Sequence, residues 1–234
     1  MSNQNQSTIS SARPELIKKL KDFPWWQQWV CRARNNVSNC GLESIIKQSV
    51  GANVFRAFPH LPRKPSEIYR DWAYNYLISN SPGKQNNNNI PKCFYAIKTR
   101  SEYRKWAYQS AKSLRDKWSR EMKTDMHFGP SLKIINLLAK RLCLSNEITC
   151  KESYELSWIM DVPLDYYVII EVKKIIETNC PLIGIIPSRP TMNFIKNKQM
   201  YECFQNEIYS LTKDAGVPPI ALDYFAWNKP HGLL

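Results

Sequence analysis

Glycine is scarce in this chain, at 7 residues in 234 against 15 prolines. Strand-like alternation is almost absent and no internal repeat is visible, which sets aside sheet architectures and repeat arrays. What remains favours helices joined by proline-punctuated turns, so the expected fold class is all-α. No run of eighteen apolar residues occurs, so no membrane span and no membrane partner are expected. The N-terminus "MSNQNQSTISSARPE" is polar and shows no signal peptide. The seven cysteines are odd in number, scattered, and without C-x-x-C spacing, and His60, His127 and His231 sit near none of them in a ligand pattern. A disulfide framework and a zinc site are therefore not expected. Buried thiols in a reducing, cytoplasmic setting are, on the nucleoid if the source is bacterial. No cluster of acidic ligands suggests a metal, and no cofactor is called for.

Acidic residues are few beside basic ones, 20 against 33, which gives a formal charge of +13. Such a charge repels itself, and a polyanion is its usual reason. The plain alternative is a basic protein with no charged partner. The hydrophobic fraction of 43% and aromatic fraction of 12% are those of a globular chain with a real core.

Residues 1–12 read as a disordered tail, followed by a single helical domain over 13–234. A first helix is expected from Arg13-Pro14, with Leu16, Ile17 and Leu20 as its apolar stripe. Asp22 and Pro24 open a second, in which Trp25, Trp26 and Trp29 are either core or a base-stacking platform. Gly51 should stop a helix over Leu42–Val50, and Ser66 should cap one carrying Ile68, Trp72 and Tyr76. "NSPGKQNNNNIPK" reads as a flexible loop or lobe boundary near 80–92. From about Ser101 to Lys123 a long helix alternates Trp106, Leu114 and Trp118 with a basic face that includes Arg104, Lys105, Lys112, Arg115, Lys117 and Arg120. That face is either simply solvated or a strip along phosphates.

The informative stretch is "FGPSLKIINLLAKR", Phe128 to Arg141. After a Gly129-Pro130 turn, a helix is expected from Ser131 to Leu144. Lys133, Asn136 and Lys140 then share one face, with Ile134, Ile135, Leu138 and Leu142 on the buried side. Lys133 would leave the first turn, where the partial positive charge of the helix end disfavours an ammonium. A Schiff-base nucleophile needs that neutral amine. Further on, Asp165 in "VPLDYYV" should cap the next helix, held ionised by backbone N–H groups. A fixed carboxylate beside an amine can stabilise the cationic sugar that forms as a glycosidic bond breaks. A plain cap is the alternative.

A Gly turn, a helix-borne Lys and then P-x-D-x-x-V opening a second helix resembles the helix-hairpin-helix (HhH-GPD) DNA glycosylases, over about Thr124 to Ile176. The hairpin has one Gly where that family usually has a Gly-x-Gly pair, and Lys133 and Asp165 lie further apart than in most members. The archaeal 8-oxoguanine glycosylase branch is similar in having a degenerate hairpin and a longer insert. Gly129, Lys133, Asn136, Lys140 and Asp165 also fit a G-x-x-x-K-x-x-N-x-x-x-K helix followed by P-x-D in uncharacterised bacterial proteins. The resemblance implies a two-lobed helical bundle in which Lys133 attacks C1′ and Asp165 assists base departure. It also implies that Phe128, Gly129, Asn136 and Lys140 meet double-stranded DNA carrying a damaged or modified base. A flipped base must be gripped, and the late "LDYFAW" offers Asp223, Phe225 and Trp227, with Tyr166 or Tyr167 beside Asp165. Phe225 and Trp227 alternatively seal the core. The expected activity is that of a monomeric, metal-independent DNA glycosylase/AP lyase. Its rival is a non-catalytic DNA- or RNA-binding protein on the same scaffold, and a metal-dependent nuclease is a third.

Overall fold

A computed structural model of the chain describes residues 3–25, 41–56, 58–59, 62–79, 92–145, 148–180 and 183–231. Every regular element among them is helical. The α-helices are α1 (Asn3–Asp22), α2 (Leu42–Ser49), α3 (Ala52–Phe55), α4 (Pro65–Ser79), α5 (Lys92–Tyr95) and α6 (Arg100–Met122). After these come α7 (Phe128–Leu142), α8 (Cys150–Ile159), α9 (Tyr166–Asn179), α10 (Lys198–Asp214) and α11 (Ile220–Asn228), with short 3-10 turns at Met192–Phe194 and Lys229–His231. No described helix is long and apolar enough to cross a membrane.

Two sets of helices pack together. In one, α7 lies along α6 and α2, and α4 rests on α6 and α2. In the other, α9 packs on α10 and α11, and α1 covers all three. A single apolar core runs through both, with Trp118, Leu132, Ile135, Val168, Ile176 and Phe204 fully enclosed or nearly so. Each such side chain contributes about 1.5–3 kcal/mol through burial.

Boundaries differ from the sequence expectations in instructive ways. The first helix begins at Asn3 rather than at Arg13, so the segment read as a tail is helical from Asn3 onward and Pro14 lies inside the helix. Nothing in "NQNQSTISSAR" breaks a helix, and Arg13 anchors it by a 2.6 Å ion pair to Asp214 on α10. Likewise, α4 starts at Pro65, so Ser66 sits within its first turn and is not its cap. Thr99 caps α6 through a reciprocal pair with Glu102, and Thr149 caps α8 in the same way with Glu152. Both T-x-x-E boxes are legible in the sequence. Trp25 is buried and stacks on Tyr154, as a core residue would. Trp26, Trp29 and most of the loop expected at 80–92 lie outside the described residues.

One expectation about cysteine is overturned. Cys180, which ends α9, and Cys203 on α10 form a disulfide with a Cα–Cα separation of 6.6 Å. Cys143 stays a buried thiol, and burial pushes its pKa up to about 12.

Candidate active site

The turn expected at Gly129-Pro130 is instead the start of α7. His127 is the N-cap, and Phe128, Gly129 and Pro130 form the first turn. Proline is tolerated there because the first N–H groups of a helix have no intrahelical acceptor. Lys133 is thereby moved into the second turn, beyond the strongest reach of the helix-end charge. The real turn is 123–127, opened by Lys123 in the left-handed region at φ 56°.

Gly129 has a structural reason. A Cβ there would stand 2.2 Å from the Met192 carbonyl oxygen and 2.8 Å from that of Ile195. Its N–H donates to the Ile195 carbonyl at 3.1 Å. The Gly129 amide, which the resemblance would turn toward DNA, is therefore already spent, and close approach of backbone to backbone accounts for the glycine. Phe128 is half-buried between Tyr108 and Tyr201, with the Arg115 guanidinium 5.6 Å from its ring centre.

Asn136 does not share an exposed face with the two lysines. It is buried, accepts a 2.8 Å hydrogen bond from the Tyr103 hydroxyl, and donates to the Tyr201 hydroxyl at 2.8 Å and the Val162 carbonyl at 3.2 Å. An amide so committed has nothing to offer DNA in this arrangement. The helix is packed on more than one side, so a shared angular position does not mean a shared environment.

Lys133 and Asp165 do meet. The Lys133 ammonium nitrogen lies 3.9 Å from Asp165 Oδ2, with the side chains 12% and 6% exposed. Asp165 is the cap of α9, its Oδ1 accepting from the Val168 N–H at 3.1 Å. Its other oxygen accepts from Trp227 Nε1 at 2.8 Å. Burial and the nearby charge of Asp223 raise the Asp165 pKa, against the pull of Lys133, the Val168 N–H and the Trp227 indole.

Asp223 and Trp227 sit one turn apart on α11, and Lys133 and Lys140 two turns apart on α7, so each helix presents its pair on one face. Lys140 Nζ is 2.5 Å from Asp223 Oδ2 and 3.9 Å from the centre of the Tyr224 ring. Burial works against the Lys140 ammonium, but Asp223 and Tyr224 outweigh it and raise its pKa well above the usual lysine range. Lys140 is thus a partner of Asp223 rather than an open phosphate contact. Asp223 Oδ1 is out of solvent and has no hydrogen-bond partner. Such an orphan acceptor in a polar cluster calls for an explanation.

Aromatic rings rim this cluster. Tyr166 packs edge-on to Tyr167, and Tyr167 to Trp227, at 5.3 Å and 5.0 Å between centres, with Tyr166 and Trp227 partly exposed. Phe225 is elsewhere: it is buried against Phe23 at 5.8 Å, where it seals the core beside α1. The base-pocket nomination of Phe225 therefore fails, because it stands two residues from both Asp223 and Trp227, a step that turns a side chain to nearly the opposite face of a helix.

Sequence reasoning missed Tyr224, the bond between Lys140 and Asp223, and a second buried acidic centre at Asp161. Asp161 accepts from Arg100 and Arg104, each at 3.1 Å. Arg104, so held, and Lys117, which pairs with Glu121 at 2.8 Å, are taken from the basic strip expected along α6. Among the described residues, no three His, Cys, Asp or Glu side chains group as a metal site would require. Comparisons with protein-family models, with curated proteins and with solved structures find no match to this chain.

Proposed function

We propose that the protein is a DNA glycosylase/AP lyase that removes a damaged or modified base through a Schiff base on Lys133. The observation that carries this reading is the nearly buried Lys133–Asp165 pair at 3.9 Å, drawn from helices far apart in the chain. For the first step, Lys133 must shed a proton. Asp165 is the nearby acceptor, and burial together with Asp223 makes it a better base than an ordinary carboxylate. The amine lone pair then forms a bond to C1′ as the C1′–N bond breaks, and the base departs with that electron pair and takes up a proton. The cationic sugar that develops lies beside two carboxylates, which favours it electrostatically. The C1′–O4′ bond then opens as the Lys133 nitrogen lone pair forms the C1′=N bond, and O4′ leaves with its electron pair and takes up a proton. Loss of a C2′ proton from this Schiff base, with departure of the 3′ phosphate, completes the lyase step.

Substrate recognition rests on the same cluster. Asp223 Oδ1, buried and unpartnered, can accept a hydrogen bond from an N–H on a flipped base. The partly exposed rings of Tyr166 and Trp227 supply stacking surface, and the +13 charge suits duplex DNA. The protein is read as acting without a metal and as a monomer.

Borohydride trapping on duplexes containing 8-oxoguanine, uracil, an abasic site or no lesion tests this. A covalent adduct is expected on one or more lesions and should be lost in Lys133→Ala while duplex binding persists. An adduct that survives in Lys133→Ala would remove Lys133 from the mechanism. The commitment of the Gly129 N–H to Ile195 favours a second reading, a basic nucleic-acid-binding protein without catalysis. Steeply salt-dependent binding with no nicking of any lesion is its signature.

A further inference from the structure

The segment Met160–Leu164, which delivers Asp165 to the site, is buried throughout and belongs to no helix. Buried irregular backbone must find its hydrogen-bond partners outside itself. At Val162 the partner is a side chain that plays the part of a neighbouring strand. The Val162 N–H donates to Gln205 Oε1 at 2.9 Å, and Gln205 Nε2 donates back to the Val162 carbonyl at 2.7 Å. The same carbonyl accepts from Asn136 Nδ2 at 3.2 Å. Gln205 is fully enclosed and Asn136 almost so. The grip is itself braced, since Arg100 donates to the Gln205 backbone carbonyl at 2.5 Å and to Asp161 at 3.1 Å.

The spacing gives this clamp a direction. Asn136 stands one helical turn beyond Lys133 on α7, and Val162 stands three residues before Asp165. The bond between Asn136 and Val162 therefore ties the helix that carries the amine to the segment that carries the carboxylate. Pro163 has a fixed φ, which removes slack between the clamp and Asp165. We propose that Gln205 and Asn136 are positioning residues that set Asp165 against Lys133 by gripping the backbone of Val162. The inference rests on the Schiff-base reading of that pair.

A clamp that only holds the fold together would lower the melting temperature and leave the chemistry of the folded protein alone. Gln205→Met keeps the side chain's length and removes both bonds. Two readouts are taken well below its melting temperature: the first-order trapping rate on an abasic duplex at saturating protein, and the indole N–H signal of Trp227 in ¹⁵N-tryptophan-labelled protein, identified with Trp227→Phe. Because Trp227 donates to Asp165, its signal reports where that carboxylate sits. The expected result is a trapping rate lower by about ten- to a hundred-fold, as for a sub-ångström to ångström misplacement, with a displaced Trp227 signal and duplex affinity within about two-fold. An unchanged rate and an unchanged signal would overturn the proposal. If Gln205→Met does not melt cooperatively, Gln205→Asn, which keeps the amide and shortens its reach, is read the same way. Failure of the wild-type protein to form any adduct would instead bring down the nucleophile reading, and the catalytic sense of the clamp with it.

Discussion

Two buried aspartates, four residues apart on one segment, are treated very differently by their surroundings. Asp161 has no exposed side-chain surface and lies between two guanidiniums, Arg100 and Arg104, each of which reaches it at 3.1 Å. Arg104 also bonds Asn206, and Arg100 the Gln205 carbonyl, so the charges on both sides are satisfied. Asp165 holds one backbone N–H, one indole N–H and a lysine at 3.9 Å, with a second carboxylate close enough to raise its pKa. A saturated ion cluster is a way of fixing backbone. A looser one, with its lysine at 3.9 Å and an orphan acceptor and exposed rings beside it, is what a reacting site requires. The contrast suits Asp161 to structure and, on the proposed reading, Asp165 to chemistry, although both sit in the same six-residue stretch "DVPLDY".

The hardest way to break that contrast is Asp161→Ala. It leaves two mostly buried arginines without their anion, a loss of about 3–5 kcal/mol for a pair broken from one side. Urea unfolding should show a large fall in midpoint, with any remaining folded protein still able to bind duplex DNA. A fall no larger than that of Asp165→Asn would mean that the two carboxylates have the same job.

Gly129→Ala approaches the site from the lysine side. The added carbon would press on the carbonyl oxygens of Met192 and Ile195, which are backbone and cannot swing away. A cost of about 1–3 kcal/mol is expected from overpacking, with a displaced α7 and a weakened Lys133–Asp165 pairing. Gly51→Ala is the control, since nothing lies within 4 Å of its added carbon, and it should cost less than about 1 kcal/mol. Equal melting temperatures for the two variants would show that α7 has room to shift and that Gly129 does not fix its register.

The longer helices were readable from apolar spacing, and so was the Asp165 cap, because both are local properties of the chain, whereas α3, α5 and α8 were not read. The amphipathic helix placed Lys133 and P-x-D before an apolar run placed Asp165, but that the two meet was expected only from the resemblance to the glycosylase pattern. Boundaries at Pro65 and Pro130 were displaced because proline is as welcome inside a first turn as before it. Asn136 was misassigned because α7 is buried on several sides, and the helical wheel alone does not say which neighbours it has. The disulfide between Cys180 and Cys203, 23 residues apart, follows no spacing rule and depends on how α9 meets α10. Asp161, Gln205 and the arginines were passed over for the same reason: their partners come from α6 and α10, and only the fold brings them together.

The smallest effect on stability should come from Asp165→Asn, and its pH dependence sharpens the comparison most. Asparagine is also a good helix cap, so the Val168 N–H need not lose its acceptor. Because burial and Asp223 hold the Asp165 pKa above its ordinary value, the unfolded chain ionises first as pH rises. Native stability is then lost between the unfolded and the folded value, and the cost stays constant above both. The neutral asparagine escapes that cost, while Lys133 loses its nearest anion, so the net change near neutrality should be under about 1 kcal/mol. Paired urea melts at about pH 4 and about pH 7.5 should therefore show the stability difference moving in favour of the Asp165→Asn variant as pH rises. Over the same range the variant should form its covalent adduct more slowly than the wild-type protein. Movement in the opposite direction would mean that folding stabilises the ionised carboxylate, as an ion pair built for structure does, and Asp165 would then belong with Asp161.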